Sequence, residues 1–337
     1  MDLALTIFLV LLIMVGIMAA CEAFTNAIEW LGKQLNLSEG AVGSVLAAIG
    51  TALPETIIPL IAIAGAWFGG HPAGTPIGLG AIVGAPFMLS TLAMFVTGAA
   101  VVVFARQGRR SPDIRIDPIV MARDLRYFLV TYGLMIAASF LPWHPVKIGL
   151  GIGLLGLYGY YVYQTLKQPG ELGEDLEPLY FARKSELPPM GLVLLQLLAS
   201  LVGIIGGAHL FVIEVTRLSG LLHVAPLLLS LIVTPLATEL PEKFNSVIWI
   251  FVRKDTLALG NITGAMVFQS CIPVAIGLWM TPWVLSPVTL VSAAIALLSA
   301  GWLYFEVARR STNSFWSLWR GGAFYLLFLG AVIWGRI

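Results

Sequence analysis

Two short segments of the sequence, Thr51-Ala52-Leu53-Pro54-Glu55 and Thr238-Glu239-Leu240-Pro241-Glu242, are copies of one pattern, and each lies inside a long apolar run. A carboxylate inside a membrane helix is costly unless a partner compensates it, so two at matched positions indicate a site. Proline has no N–H and clashes with the carbonyl four residues earlier, so Pro54 and Pro241 each predict a loosened backbone oxygen. Each segment therefore offers a carboxylate, a threonine hydroxyl and a carbonyl, which are oxygen ligands suited to Ca²⁺ or Na⁺.

The composition predicts a polytopic membrane protein. Of the 337 residues, 58% are hydrophobic and 11% are charged, whereas soluble domains carry about 25% charged residues. The apolar runs are long enough for spanning helices of about 20 residues, and they lack the alternation of an outer-membrane barrel. The apolar run from Leu3 to Ala20 has no basic flank and continues into Glu22, so we expect a retained first helix. The net charge of +1 gives no indication of a nucleic-acid partner.

The pattern of apolar runs predicts an all-α fold of about ten transmembrane helices in two inverted five-helix repeats. A polar break at 167–189 is the predicted linker between a first half, 1–166, and a second half, 190–337. Because each half has an odd number of spans, the second half enters the membrane upside down relative to the first. The predicted spans are 3–31, 40–69, 77–104, 124–142, 147–166, 190–216, 224–252, 256–280, 282–306 and 318–335.

The distribution of basic residues predicts the orientation. With the N-terminus outside, the inner loops hold thirteen Lys and Arg residues and the outer loops only three. This is the positive-inside pattern, so we expect both termini outside and the 167–189 linker in the cytoplasm. The basic stretch from Arg106 to Arg126 is interpreted as a loop that sets topology. An aromatic belt at the outer interface is expected from Trp67, Trp143, Trp279 and Trp283.

A second pair of signatures supports the repeat. The sequence Gly-Ala-Ile-Val-Gly-Ala at 80–85 matches Gly-Asn-Ile-Thr-Gly-Ala at 260–265. The first follows Glu55 by 25 residues (80 − 55) and the second follows Glu242 by 18 (260 − 242). Glycines four residues apart let helices approach closely, so the span after each Pro-Glu segment is expected to pack tightly against a neighbour.

This arrangement resembles the sodium/calcium exchanger family of cation/Ca²⁺ exchangers, in a divergent prokaryotic-type form. The resemblance rests on the repeated Pro-Glu core, the glycine runs that follow it and the inverted halves around a cytoplasmic linker. It implies exchange of Ca²⁺ against Na⁺ or H⁺ by alternating access at a midplane site in a prokaryotic plasma membrane, without a cofactor. The resemblance implies a cation site lined by Thr51, Glu55, Thr238, Glu242 and Asn261.

The sequence also departs from the pattern of that family. Ala52, Ala81 and Ala85 replace polar residues, and Glu239 stands where the family usually has Ser or Asn. Ca²⁺ takes about six to eight oxygen ligands, so the reduced set leaves the identity and the number of bound ions open. Glu239 adds a carboxylate to the candidate metal ligands.

Lys243 has no counterpart in the family pattern, and it follows Glu239 by four residues, the spacing at which a helix brings a Glu–Lys pair together. One interpretation is a structural ion pair. The other is a counter-charge that couples transport to protons, because Glu55, Glu239 and Glu242 less Lys243 leave two negative charges, enough for one divalent ion. A cation that captured the carboxylates would deprive the ammonium of its partners and favour loss of its proton.

Other interpretations remain open from the residues alone. The chain could be a transport-silent relative that serves as a structural or regulatory membrane subunit. An intramembrane hydrolase would need a nucleophile with a base, and the sequence shows no such constellation. A role for Glu22 in lining an ion path is one such open interpretation. His209 occupies the repeat position that matches Glu22, since 209 − 22 equals 187, the offset between Glu55 and Glu242. The expected partners are small inorganic cations and the lipid bilayer.

Overall fold

The computed structural model describes residues 3–35, 48–68, 74–167, 176–222, 239–251, 253, 255–309 and 315–333. A π-helical turn, Leu89–Ala93, joins α4 to α5, and a 3₁₀ turn, Tyr180–Ala182, lies in the linker. In chain order the α-helices of these residues are α1 (Leu3–Gln34), α2 (Ala48–Thr51), α3 (Leu53–Phe68), α4 (Gly74–Met88), α5 (Met94–Arg106), α6 (Pro118–Ala138), α7 (His144–Leu166), α8 (Met190–Leu222), α9 (Leu240–Phe251), α10 (Asp255–Met280), α11 (Pro287–Arg309) and α12 (Phe315–Ile333).

The helices are those of an integral membrane protein. Each of the ten predicted spans overlaps one described helix or one pair of consecutive helices. Among the residues that the structure describes, five helical segments are long and apolar enough to cross a membrane: Leu3–Gln34, Gly74–Arg106, Met190–Leu222, Ala258–Met280 and Pro287–Ala308. Two shorter apolar helices, Glu55–Phe68 and Leu318–Val332, accompany them.

Two predicted helix starts are wrong, and the first is explained by a cap and the second by a turn. Helix α6 begins at Pro118 rather than at 124, because Oδ1 of Asp117 accepts hydrogen bonds from the N–H groups of Ile119 (2.9 Å) and Val120 (3.3 Å). Proline at the first helical position adds a favourable φ angle. Helix α11 begins at Pro287 rather than at 282, because the chain first turns through Trp283 at a φ of 49°.

Trp283 is buried, so its assignment to an interfacial belt is also wrong. Its indole N–H donates to the carbonyl of Met135 (3.1 Å), and its backbone N–H donates to the hydroxyl of Thr281 (3.1 Å). Lys147 Nζ donates to the carbonyls of Pro282 and Trp283. The loop after α10 is therefore folded into the bundle between α6 and α7, whereas Trp67 and Trp143 are exposed.

The described helices enclose two large apolar clusters. The larger surrounds α10, which packs against α2, α3, α4, α6, α7 and α9. The smaller lies between α1, α3 and α8, where α8 packs against both α1 and α3. Representative members of the larger cluster are Phe87, Phe128, Ile262 and Val267, and members of the smaller are Ile17, Phe24, Ile58, Phe211 and Val215. Helices α1 and α8 thus form a layer of their own against the main bundle.

The linker segment 176–189 is fastened to that layer. Gln196 on α8 donates to the side-chain oxygen of Asn26 on α1 (2.9 Å), and its own oxygen accepts from the N–H of Phe181 (2.9 Å). Trp30 donates its indole N–H to the carbonyl of Glu177 (2.9 Å). These bonds tie the linker to α1 and α8 together.

The loop 107–117 is anchored to the turn between α9 and α10. Arg110 makes two hydrogen bonds to Asp255, of 2.7 and 2.9 Å, and a third to the carbonyl of Ile250 (2.8 Å). Both charged side chains are buried. The basic stretch from Arg106 to Arg126 is therefore more than a topology signal, because Arg110 holds the two halves of the chain together.

Candidate functional site

The first Pro-Glu segment lies where the second span is interrupted. Helix α2 ends at Thr51 and α3 begins at Leu53, with Ala52 between them. Glu55 falls in the first turn of α3 and is 2% exposed. The amide end of a helix favours a carboxylate, so the interruption gives Glu55 a stabilising environment inside the bundle. The side chain of Thr51 lies outside the described residues.

The second Pro-Glu segment presents a buried ion pair. Oε2 of Glu239 accepts a hydrogen bond of 2.9 Å from Nζ of Lys243, and the side chains are 0% and 6% exposed. The backbone N–H of Lys243 donates to the carbonyl of Glu239 (3.1 Å), which closes the first turn of α9. The structure thus forms the ion pair that the four-residue spacing predicts. Thr238 and the side chain of Glu242 lie outside the described residues.

The two segments lie against the same helix, because α10 packs against both α3 and α9. Glu55 is near enough to Glu239 for their carboxyl groups to interact electrostatically, although the residues are 184 positions apart (239 − 55). Glu55, Glu239 and Lys243 therefore form one charge cluster, with residues from both halves of the chain. The cluster contains two carboxyl groups and one ammonium, and this excess of acidic groups is suited to binding a cation.

Asn261 lies on α10, the helix that packs against α3 and α9 of the two Pro-Glu segments. It is buried, and in the described part of the chain neither atom of its amide has a hydrogen-bond partner. Helix α10 packs against α2, α3 and α9, and the hydroxyl of Ser246 on α9 donates to the carbonyl of Ala258 (3.2 Å). A buried amide without partners is costly, so the side chain of Asn261 is suited to bind a ligand through its oxygen.

Gln269 is a candidate that the sequence pattern did not reveal. It lies two turns beyond Asn261 on α10, it is buried, and both atoms of its amide lack partners among the described residues. In the repeat it matches Leu89 (269 − 180), the first residue of the π-helical turn. The available signal was an amide within an apolar run, since such a side chain is seldom buried without a bonding role.

Glu22 and His209 lie elsewhere. Glu22 is exposed, and its carboxylate accepts a hydrogen bond of 2.8 Å from the hydroxyl of Tyr180 in the linker. His209 is exposed on α8. The structure brings neither residue into the charge cluster.

Comparison with known proteins identifies the family. The sequence profile of the sodium/calcium exchanger proteins matches residues 5–167 and 192–335. CaxA of Alkalimonas amylolytica, a proposed antiporter, is 24% identical over 284 residues, which cover 83% of this chain and 82% of CaxA.

Solved structures share the fold. The crystal structure of the H⁺/Ca²⁺ exchanger CAX superposes with a TM-score of 0.77 at 14% identity, over 97% of this chain and 82% of that one. The sodium-calcium exchanger NCX_Mj superposes with a TM-score of 0.65 at 20% identity, over 98% of this chain and 99% of that one. The fold is therefore that of the cation/Ca²⁺ exchangers, in two halves consistent with inverted repeats. Because the profile also matches nearly the whole sequence, the chain belongs to the sodium/calcium exchanger family.

Proposed function

We propose that the protein is a cation antiporter that exchanges Ca²⁺ against Na⁺ or H⁺ by alternating access. The observation that carries this proposal is the buried cluster of Glu55, Glu239 and Lys243, which combines carboxyl groups from the two halves of the chain. Charged groups inside a membrane protein are expensive, and they mark ion pathways. The proposed metal ligands are Thr51, Glu55, Thr238, Glu239, Glu242 and Asn261, with Gln269 added from the structure.

The chemistry of these ligands favours Ca²⁺ as the transported ion. Carboxylate, hydroxyl and amide oxygens are hard ligands of the kind Ca²⁺ takes. Three glutamates supply three negative charges to this site, and the ammonium of Lys243 offsets one of them before a cation binds. Two relatives support the choice, since CAX is described as an H⁺/Ca²⁺ exchanger and NCX_Mj was studied after soaking with Na⁺ and Sr²⁺ or Ca²⁺.

Lys243 favours protons as the counter-ion. A cation that binds Glu239 competes with the ammonium for the same oxygen, 2.9 Å away. An ammonium that lost its carboxylate in the bundle interior would be unstable, and release of its proton would relieve the cost. Entry of the cation on one side and departure of a proton are then coupled within one site. Alternating access follows from exchange of the roles of the inverted halves.

The orientation forms part of the proposal. The excess of Lys and Arg in alternate loops supports both termini outside and the 167–189 linker in the cytoplasm of a prokaryotic plasma membrane.

Uptake into proteoliposomes tests this function. Purified protein would be reconstituted, and Ca²⁺ uptake would be followed under an outward H⁺ gradient and, separately, an outward Na⁺ gradient. We expect Glu55→Gln and Glu242→Gln each to abolish uptake, because each keeps shape and removes charge. Glu214→Gln is the matched control, since Glu214 pairs with Arg217 on α8 and is not one of the proposed ligands. Wild-type uptake that survives both substitutions would contradict the site.

A second function has a specific observation in its favour. This function is that of a transport-silent subunit, in which the carboxylate of Glu239 needs no bound cation because the ammonium of Lys243 already pairs with it. A ligand that binds only the folded state raises its apparent stability. A rise in melting temperature with Ca²⁺ that Glu55→Gln removes supports the antiporter, and melting temperatures insensitive to Ca²⁺, Na⁺ and pH support the silent subunit.

A further inference from the structure

Helices α6 and α10 are joined by polar contacts that repeat every seven residues. The contacts appear in the same order along both helices, so the two helices run parallel. Seven residues are nearly two helical turns, so Asp124 and Thr131 lie on one face of α6, and Thr256, Thr263 and Ser270 lie on one face of α10. This heptad ladder consists of the pairs Asp117–Thr256 (3.1 Å, from the backbone N–H of Asp117), Asp124–Thr263 (2.9 Å) and Thr131–Ser270 (2.6 Å).

The central rung is the most completely bonded. The hydroxyl of Thr263 donates to Oδ2 of Asp124, and the guanidinium of Arg123 donates twice to Oδ1, at 3.1 and 3.0 Å. Asp124 and Thr263 are buried, and Arg123 is nearly so. A buried carboxylate with both oxygens bonded is rigidly held, so Asp124 can act as a fixed point for α10.

The face of α10 opposite the ladder carries the candidate ligands. At about 100° per residue, Asn261 is roughly 160° around the helix from Thr263, and Gln269 is roughly 120° from it. That side of α10 also meets α9, through the bond from Ser246 to the carbonyl of Ala258. Rotation of α10 about its axis would therefore change the direction in which both amides point.

We propose that Asp124 is a positioning residue for cation binding: through Thr263 it fixes the rotation of α10, and so directs Asn261 and Gln269 towards the carboxylates. Outer residues that orient metal ligands play this part in other cation sites. The inference rests on the proposed function, because it assigns a role within the same site. The inference also requires that α6 and α10 do not slide along each other while other helices move during transport.

Thr263 is the residue to change, because loss of Asp124 would leave Arg123 buried without its partner and threaten folding. Thr263→Val removes the hydroxyl and keeps the shape, and Thr263→Ser keeps the hydroxyl. The matched control is Thr97→Val on α5, a buried threonine whose hydroxyl donates to the carbonyl of Ala93 on its own helix. All variants would be reconstituted after their melting temperatures show them to be folded.

The expected result is a rise in KM for Ca²⁺ without a matching loss of maximal rate. Thr263→Val should raise KM roughly tenfold and change the maximal rate by less than about twofold, with Thr263→Ser and Thr97→Val close to wild type. A merely structural role would lower the amount of active protein and leave KM unchanged. An unchanged KM in Thr263→Val, or an equal rise in Thr263→Ser, would overturn the proposal.

A cross-link tests the ladder independently of ion identity. Thr131→Cys with Ser270→Cys, in a background of Cys21→Ala and Cys271→Ala, places two thiols where the hydroxyls lie 2.6 Å apart. We expect oxidation to form the disulfide and the cross-linked protein to keep its uptake. Uptake lost on oxidation and regained on reduction would contradict a fixed register. If the disulfide forms but wild type takes up no Ca²⁺, the proposed function fails and the ladder stands.

Discussion

The ammonium of Lys243 lies 2.9 Å from a carboxylate oxygen of Glu239, and both side chains are enclosed by the helix bundle. An unpaired lysine at the centre of a membrane costs about 2.5–3.5 kcal/mol even on the scale that gives the lowest values. The pair is therefore needed for stability, and in our proposal the same pair is opened by an arriving cation.

Removal of either partner alone is expected to destabilise the protein. Lys243→Met leaves Glu239 beside Glu55 without a counter-charge, and Glu239→Ala leaves a buried ammonium, so each change should cost about 3–5 kcal/mol. The double variant leaves neither charge and should recover most of the loss. Melting temperatures in detergent measure this, and a double variant as unstable as the sum of the single ones would refute the coupling.

The clamp between Arg110 and Asp255 is expected to be a major stabilising contact between the halves. Asp255→Asn removes the charge that faces a buried guanidinium, with an expected cost of about 3–5 kcal/mol. Glu214→Gln at the partly exposed pair with Arg217 should cost less than about 1 kcal/mol. Equal shifts in melting temperature for the two variants would show that the buried pair of Arg110 and Asp255 stabilises the protein no more than the pair of Glu214 and Arg217.

The contact between the linker and α1 predicts a dependence on high pH. Partial burial and the hydrogen bond donated to Glu22 raise the pKa of Tyr180 to about 12, from an ordinary value of 10. Because the pKa of Tyr180 is higher in the folded state, the protonated side chain contributes its full stabilisation of the folded state below about pH 10. This contribution is lost as the pH rises through about 12.

The measurement compares wild type with Tyr180→Phe. Their difference in melting temperature should be constant below about pH 10 and should disappear at higher pH. A difference that changes between pH 6 and 9 would have to arise from another group.

The sequence predicted features that depend on spacing along the chain. Ten apolar runs, the break at 167–189 and the pairing of Glu239 with Lys243 all follow from hydropathy or from helix periodicity. Helix starts were less accurate, as at Pro118, because the capping carboxylate of Asp117 stands in a basic loop that resembles a simple topology signal.

Contacts between distant parts of the chain were not predictable in this way. Arg110 and Asp255 are 145 residues apart, and each looks like an ordinary loop charge at a span end. The sequence places Asp124 at the inner end of a predicted span and indicates no partner for it. In the structure its carboxylate accepts a hydrogen bond from Thr263 on α10. The seven-residue spacing in both helices becomes meaningful only once the fold shows that α6 and α10 are neighbours.

Proton release on Ca²⁺ binding tests the central claim most directly. Purified protein in weak buffer would receive Ca²⁺, and the change in pH would be recorded. If Lys243 is the coupling group, wild type should release about one proton per Ca²⁺ bound, whereas Lys243→Met should still bind some Ca²⁺ but release none from this position. Lys243→Arg keeps the positive charge but does not lose its proton in proteins, so it should release none either. Equal release from wild type and both variants would contradict the account and leave Lys243 a structural residue.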